Sequence, residues 1–196
     1  MLIRRGYFNT YRISDSRVLN ESHERTLSFN VNAIHSGNGV PVFISHKHSD
    51  LNELEGLLEM LVKQYNVIPY IDSMDKGMPK NTCAATAIRV KQAINYCQKF
   101  IMLATEDALT SKWCNWEVGI ADKWKLDNHN MAIFPILDRG TEEDKYKGSE
   151  YLELYPYIEE VVDIFTNKRK LVVKYKTTSG QKQISLEEWL NKRIIL

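Results

Sequence analysis

Four short runs of the chain are apolar almost from end to end: residues 40–45 (VPVFIS), 67–72 (VIPYID), 100–105 (FIMLAT) and 131–138 (MAIFPILD). A strand with one wet face alternates between apolar and polar residues. A strand without alternation is covered on both faces, which is the condition of a parallel sheet sandwiched between helices. Between the runs the spacing turns helical. Leu51, Leu54, Leu58, Leu61 and Tyr65 share one face, and Asp50 with Glu53 is placed to form a capping box. Asn81 or Thr82 opens a second helix, with Ala87, Val90, Ile94 and Cys97 on one side. Ser111 is a natural N-cap for a third, which puts Trp113, Trp116, Glu117, Ile120, Ala121 and Trp124 on a single inward face. Strands alternating with helices in this way predict a doubly wound α/β domain.

The flanks are less regular. Residues 1–39 mix Tyr7, Phe8 and Tyr11 with Arg and Ser and end in Gly37, Asn38 and Gly39, which reads as an extension followed by a linker, with the main domain over 40–196. Residues 139–150 read as a charged surface loop, 151–160 as a short helix, 170–175 as a strand, 177–180 as a turn and 186–195 as an amphipathic helix with Trp189 and Leu190 inward. The Lys168, Arg169, Lys170 cluster reads as a solvated loop. A net charge of +1 gives no electrostatic case for a nucleic-acid or membrane-surface partner. The N-terminus lacks an apolar leader core, no run is long enough to span a bilayer, and three cysteines (Cys83, Cys97, Cys114) read as reduced thiols, so the expected location is the cytoplasm.

In open α/β sheets ligands bind beyond the carboxyl ends of the strands, where the strand order reverses. With the flavodoxin-like order 2-1-3-4-5, that point lies between the first and third strands. The first feeds Ser45, His46, Lys47, His48, Ser49 and Asp50; the third feeds Thr105, Glu106 and Asp107, then the Ser111 helix. Helix N-termini favour anions, so a phosphate-bearing ligand suits this corner. No phosphate-binding P-loop and no GxGxxG occurs. Glu117 is the lone carboxylate on an otherwise apolar helix face, and burial of an unpaired charge is costly. It is therefore paired, on the lip of a cleft, or shifted in pKa. The His46-x-His48 pair has no third histidine in ligand register, so no metal is expected.

Four segments in order, VFISHKHSD (42–50), YIDSMDKGMP (70–79), FIMLATEDALTSKWCNWE (100–117) and AIFPILD (132–138), resemble the successive boxes of a Toll/interleukin-1 receptor (TIR) domain. The compact form is similar to the bacterial anti-phage TIR proteins of Thoeris systems. The resemblance implies a flavodoxin-like TIR fold and an enzyme that cleaves NAD at the nicotinamide–ribose bond. Its product would be an ADP-ribose-type, cyclic signal read by a separate effector protein. It implies Glu117 as the catalytic residue and Trp113, four residues earlier, as a pocket wall. It also implies substrate contacts from Ser45, His46, Lys47, His48, Asp72 and Thr105. The loop after the second strand, termed the BB loop, maps to Ser73, Met74, Asp75, Lys76, Gly77, Met78 and Pro79, and in assembled TIR enzymes it completes a neighbouring subunit's site. NAD enters as substrate and no resident cofactor is required.

The chemistry fits one carboxylate. Nicotinamide leaves a cationic ring as a neutral molecule, so the leaving group needs no proton, unlike the leaving oxygen of an ordinary glycosidase. The alternative is a non-catalytic TIR adaptor acting by homotypic assembly. A phosphoacceptor receiver of the same topology needs an acidic pair after the first strand and an Asp ending the third. Ser45-His46 and Ala104-Thr105 stand there instead.

Overall fold

A computed structural model of the chain describes residues 1–12, 39–75, 77–79, 81, 83–138, 140 and 150–192. A short strand β1 (Ile3–Arg4) and a 3-10 turn (Tyr7–Thr10) precede β2 (Val40–Ser45), α1 (Leu51–Tyr65) and β3 (Val67–Tyr70). Then come α2 (Ala84–Tyr96), β4 (Lys99–Ala104), α3 (Glu106–Thr110), α4 (Lys112–Lys125) and β5 (Met131–Leu137). A 3-10 turn (Glu150–Leu154), β6 (Tyr157–Val162), β7 (Arg169–Thr177), β8 (Gly180–Ser185) and α5 (Leu186–Asn191) follow.

The strands form one sheet in the order β3-β2-β4-β5-β6-β7-β8. Its first five members are parallel and, counted from β2, reproduce the predicted 2-1-3-4-5. β7, expected as a strand over 170–175, and β8, which the sequence reading did not include, then add an antiparallel edge. Every residue of β2, β4 and β5 is buried, as the unbroken apolar runs require. Alternate residues feed two cores. Val42, Ile44, Ile101, Leu103, Ala132 and Phe134 pack with α1, α5 and the N-terminal turn. Phe43, Tyr70, Phe100, Met102 and Ile133 pack with α2 and α4 on the other face. Phe43 sits in register between Tyr70 and Phe100, with ring centroids 5.3 and 5.5 Å away.

The predicted helix over 151–160 is confined to the 3-10 turn, and the following residues form β6. Pro156 accounts for the break, because the residue before a proline is pushed towards extended backbone. Buried Glu159 and Glu160 suit a strand here because β7 brings partners across. Lys174 pairs with Glu159, and Arg169 Nη1 lies 3.2 Å from Glu160 Oε2. Arg169 and Lys170 therefore open a strand, while Lys168 stays in the turn. α5 ends at Asn191; the rest of the predicted 186–195 helix beyond Lys192 lies outside the described residues, as do 141–149 of the predicted loop and Thr82. Among the described residues no helix is long and apolar enough to cross a membrane.

The first twelve residues pack into the sheet. β5 and β6 meet at Ile133↔Tyr157; beyond that point β1 enters, with Ile3 opposite Ile136 and Arg4 opposite Leu137. The Glu160 N–H donates to Met1 O at 3.1 Å, so the segment is bonded on both sides. Phe8, fully buried, then presses on α1 at Gly56, where an added Cβ would lie 2.4 Å from Phe8 O and 2.5 Å from Phe8 Cβ. Alanine is the better helix former by about 1 kcal/mol, but overpacking costs about 1–3 kcal/mol. Gly56→Ala is therefore expected to lower the melting temperature by about 2–4 °C in a thermal melt; an unchanged or raised value would remove this close approach from the fold.

Candidate functional site

The carboxyl ends of β2 and β3 and the first turns of α4 meet at one corner of the sheet. Ser111 caps α4 as expected, its Oγ accepting from the Cys114 N–H at 3.3 Å. The buried stripe of that helix is Cys114, Glu117, Val118, Ala121 and Lys125. It is rotated from the predicted face: Trp113, Trp116 and Ile120 are only partly buried, and Trp124 is exposed. Glu117 therefore lies at the centre of the buried side.

Glu117 is 1% exposed. Ser45, the last residue of β2, donates its Oγ–H to Glu117 Oε2 at 2.6 Å. Among the described residues Glu117 Oε1 has no hydrogen-bond partner. Burial first, then the nearby Asp72 charge, push the Glu117 carboxyl well above the ordinary glutamate range, against the opposing pull of the Ser45 hydroxyl. Asp72 lies in the turn after β3, its Oδ2 accepting the Trp113 Nε1–H at 3.1 Å and its Oδ1 the Ser73 N–H at 2.7 Å. The Trp113 ring tilts against Trp116, centroids 4.9 Å apart.

His46 is buried, and burial holds its imidazole below the usual histidine range. With the proton on Nδ1, the ring donates to Ile44 O and its Nε2 accepts from Ser73 Oγ, both at 3.4 Å. Lys47 and His48 are exposed on the same loop. Ser45, His46, Asp72, Ser73, Trp113 and Glu117 are thus brought together. Thr105 is not part of that group. Its Oγ–H donates to Asp50 Oδ2 at 2.5 Å and its Oγ accepts the Ala108 N–H at 3.1 Å, so it caps α3.

The BB loop is tied down from within. Asp75 accepts from Tyr70 Oη at 2.7 Å and takes a forked pair from Arg89, Nε at 2.5 Å and Nη2 at 2.8 Å. Its Oδ1 also accepts the Gly77 N–H at 2.8 Å. A Cβ at Gly77 would lie 2.2 Å from Arg89 Nη2, which explains a glycine there. Met74 packs on one core and Met78 on the other, and Lys76 lies outside the described residues. Gly77 and Pro79 line a groove of about 260 Å³ with Ala85, Ile88 and Arg89 of α2.

Sequence reasoning missed three participants. Asp50 does not cap α1 with its side chain, and Glu53 instead accepts the Gly6 N–H at 2.7 Å. Cys114, read only as a reduced thiol, donates to His46 O at 3.3 Å; a helical wheel turned by one residue would have found it beside Glu117. Arg5 reaches Asp50 from 45 positions away, and no local pattern marks such a contact.

A family model described as TIR domain matches residues 42–167. A protein of Bacillus cereus (strain MSX-D12) named probable 3' cyclic ADP-D-ribose synthase ThsB' is 28% identical over 152 residues, covering 76% of this chain and 74% of its own length. The family match runs from within β2 through β6, including every residue grouped around Glu117, and spans more than half of the sequence. The chain belongs to the TIR domain family.

Proposed function

We propose that the protein cleaves NAD at the nicotinamide–ribose bond and closes the remaining ADP-ribose into a cyclic signal in anti-phage defence. The observation that carries this reading is the buried Glu117 carboxyl with one oxygen held by Ser45 and the other without a hydrogen-bond partner among the described residues. The similarity to a protein named as a cyclic ADP-D-ribose synthase supports the same substrate.

In the proposed reaction the C1′–N bond breaks, its electron pair goes to the pyridinium nitrogen, and neutral nicotinamide departs. The positive charge moves to the ribose, where a Glu117 carboxylate stabilises it. A hydroxyl of the same molecule then bonds to C1′ and gives up its proton, which Glu117 is placed to receive. The cationic ring also draws Glu117 into its charged form, although burial alone favours the neutral acid. Trp113 and Trp116 offer an aromatic wall to a planar ring, and the loop of His46, Lys47 and His48 is assigned to the phosphates. Self-association through the BB loop and the adjoining α2 groove would bring neighbouring sites together, and a separate effector would read the product.

Glu117→Gln is expected to reduce nicotinamide release from NAD by about 10³-fold. Turnover equal to wild type would remove the proposal, and self-association without nicotinamide release by wild type would favour a non-catalytic adaptor. The same variant tests the electrostatics. Folded Glu117 holds its proton more tightly than the unfolded chain does, so stability is lost as pH rises from the ordinary glutamate range through the folded pKa. Glu117→Gln is accordingly expected to melt about 3 °C above wild type at pH 8, the gap closing towards pH 4. Asp72→Asn removes the like charge, and the acid limb of kcat/KM is expected to move to lower pH; an unmoved limb would separate Asp72 from the ionisation of Glu117.

A further inference from the structure

The loop from His46 to Ser49, which carries the proposed phosphate contacts, ends at a buried charge. The Asp50 side chain is 0% exposed and stands at the N-cap position of α1 without capping that helix. Its carboxylate is turned across the sheet instead, Oδ2 accepting from Thr105 Oγ1 and Oδ1 accepting from Arg5 Nη1 at 3.2 Å. The Asp50 N–H meanwhile closes the loop on Lys47 O at 2.8 Å. Whatever holds the Asp50 carboxylate therefore holds the end of the loop.

Arg5 is suited to that task because its own position is fixed. Its Nε donates to Asp138 Oδ1 at 2.6 Å and its backbone N–H to Leu137 O at 2.7 Å, at the carboxyl end of β5. On the α3–α4 side Cys114 Sγ donates to His46 O and Ser49 Oγ donates to Asp107 Oδ2 at 2.8 Å, and in the turn after β3 Ser73 Oγ donates to His46 Nε2 at 3.4 Å. Arg5 supplies the cationic anchor from the opposite side. Without it a buried carboxylate keeps one hydroxyl partner, and the loop must move to hydrate it.

We infer that Arg5 is a positioning residue: through Asp50 it sets the register of the 46–49 loop against β4, and, resting on the function proposed above, it thereby governs NAD affinity. Arg5→Ala is expected to raise KM for NAD about tenfold, the size of one charge-assisted hydrogen bond, with kcat within about twofold. Arg5→Lys restores part of the loss. In an Asp50→Asn background, where no charge needs compensating, Arg5→Ala adds nothing further. Arg12→Ala, which removes the surface pair to Glu55 from the same segment, leaves both constants unchanged.

Hydrogen exchange provides a readout independent of turnover. In Arg5→Ala, amides of residues 44–54 are expected to exchange about tenfold faster while those of α4 keep wild-type rates. Unchanged exchange over 44–54, or acceleration spread evenly over the whole domain, overturns the inference. A wild-type KM in folded Arg5→Ala overturns it as well. Accelerated loop exchange in a chain whose wild type releases no nicotinamide supports the latch and removes the enzymatic reading alone.

Discussion

A carboxyl group that is 1% exposed is costly in any fold, and the pole of this sheet is arranged around one. The parallel core supplies the apolar surroundings that raise its proton affinity. The last residue of β2 supplies a hydroxyl donor. Asp72 is placed beside it after β3, tethered by the indole N–H of Trp113 so that its charge stays at a fixed distance. None of these groups improves the packing, and the carboxylate pair works against stability. Their concentration at the reversal point of the strand order is what marks this corner as the candidate site.

The same pole is reinforced by a segment distant in sequence. β1 enters where β5 and β6 diverge and carries Arg5 to the edge of the loop after β2. Gly56 lets the following turn seat Phe8 against α1. One short stretch thus serves the core on one face and a surface loop at the pole, through contacts of two different kinds: close packing at Phe8 and charge compensation at Arg5.

The parallel sheet was legible because burial on both faces erases alternation, and this survives in β2, β4 and β5 as unbroken apolar runs. The N-cap of α4 was legible because it follows from short-range spacing, and the placement of Glu117 beside the end of β2 because it follows from the strand order. What failed was long-range or borderline. β8 reads GQKQIS, largely exposed, and becomes a strand only because β7 lies beside it. β6 carries two glutamates that look solvent-facing until their cross-strand cations are known. The tryptophans of α4 led the helical wheel astray, because large indoles at a rim weigh as heavily as those in a core; Cys114 and Val118 mark the true inward side. Asp50 looked like a local cap, yet its carboxylate is committed to two other elements.

The insertion of β1 also sets an order of assembly. Ile3 waits for Ile136, and Met1 for Glu160, so the two ends of the domain must both exist before that strand has an edge to join. Closing so long a loop carries an entropic cost that local helices never meet, and contacts of this span form slowly. During synthesis the β2 to β4 layer can gather while the first residues are still unattached, which leaves the loop after β2 without its guanidinium until β5 and β6 emerge. Completion of the Asp50–Arg5 contact is therefore tied to near-completion of the domain on the ribosome.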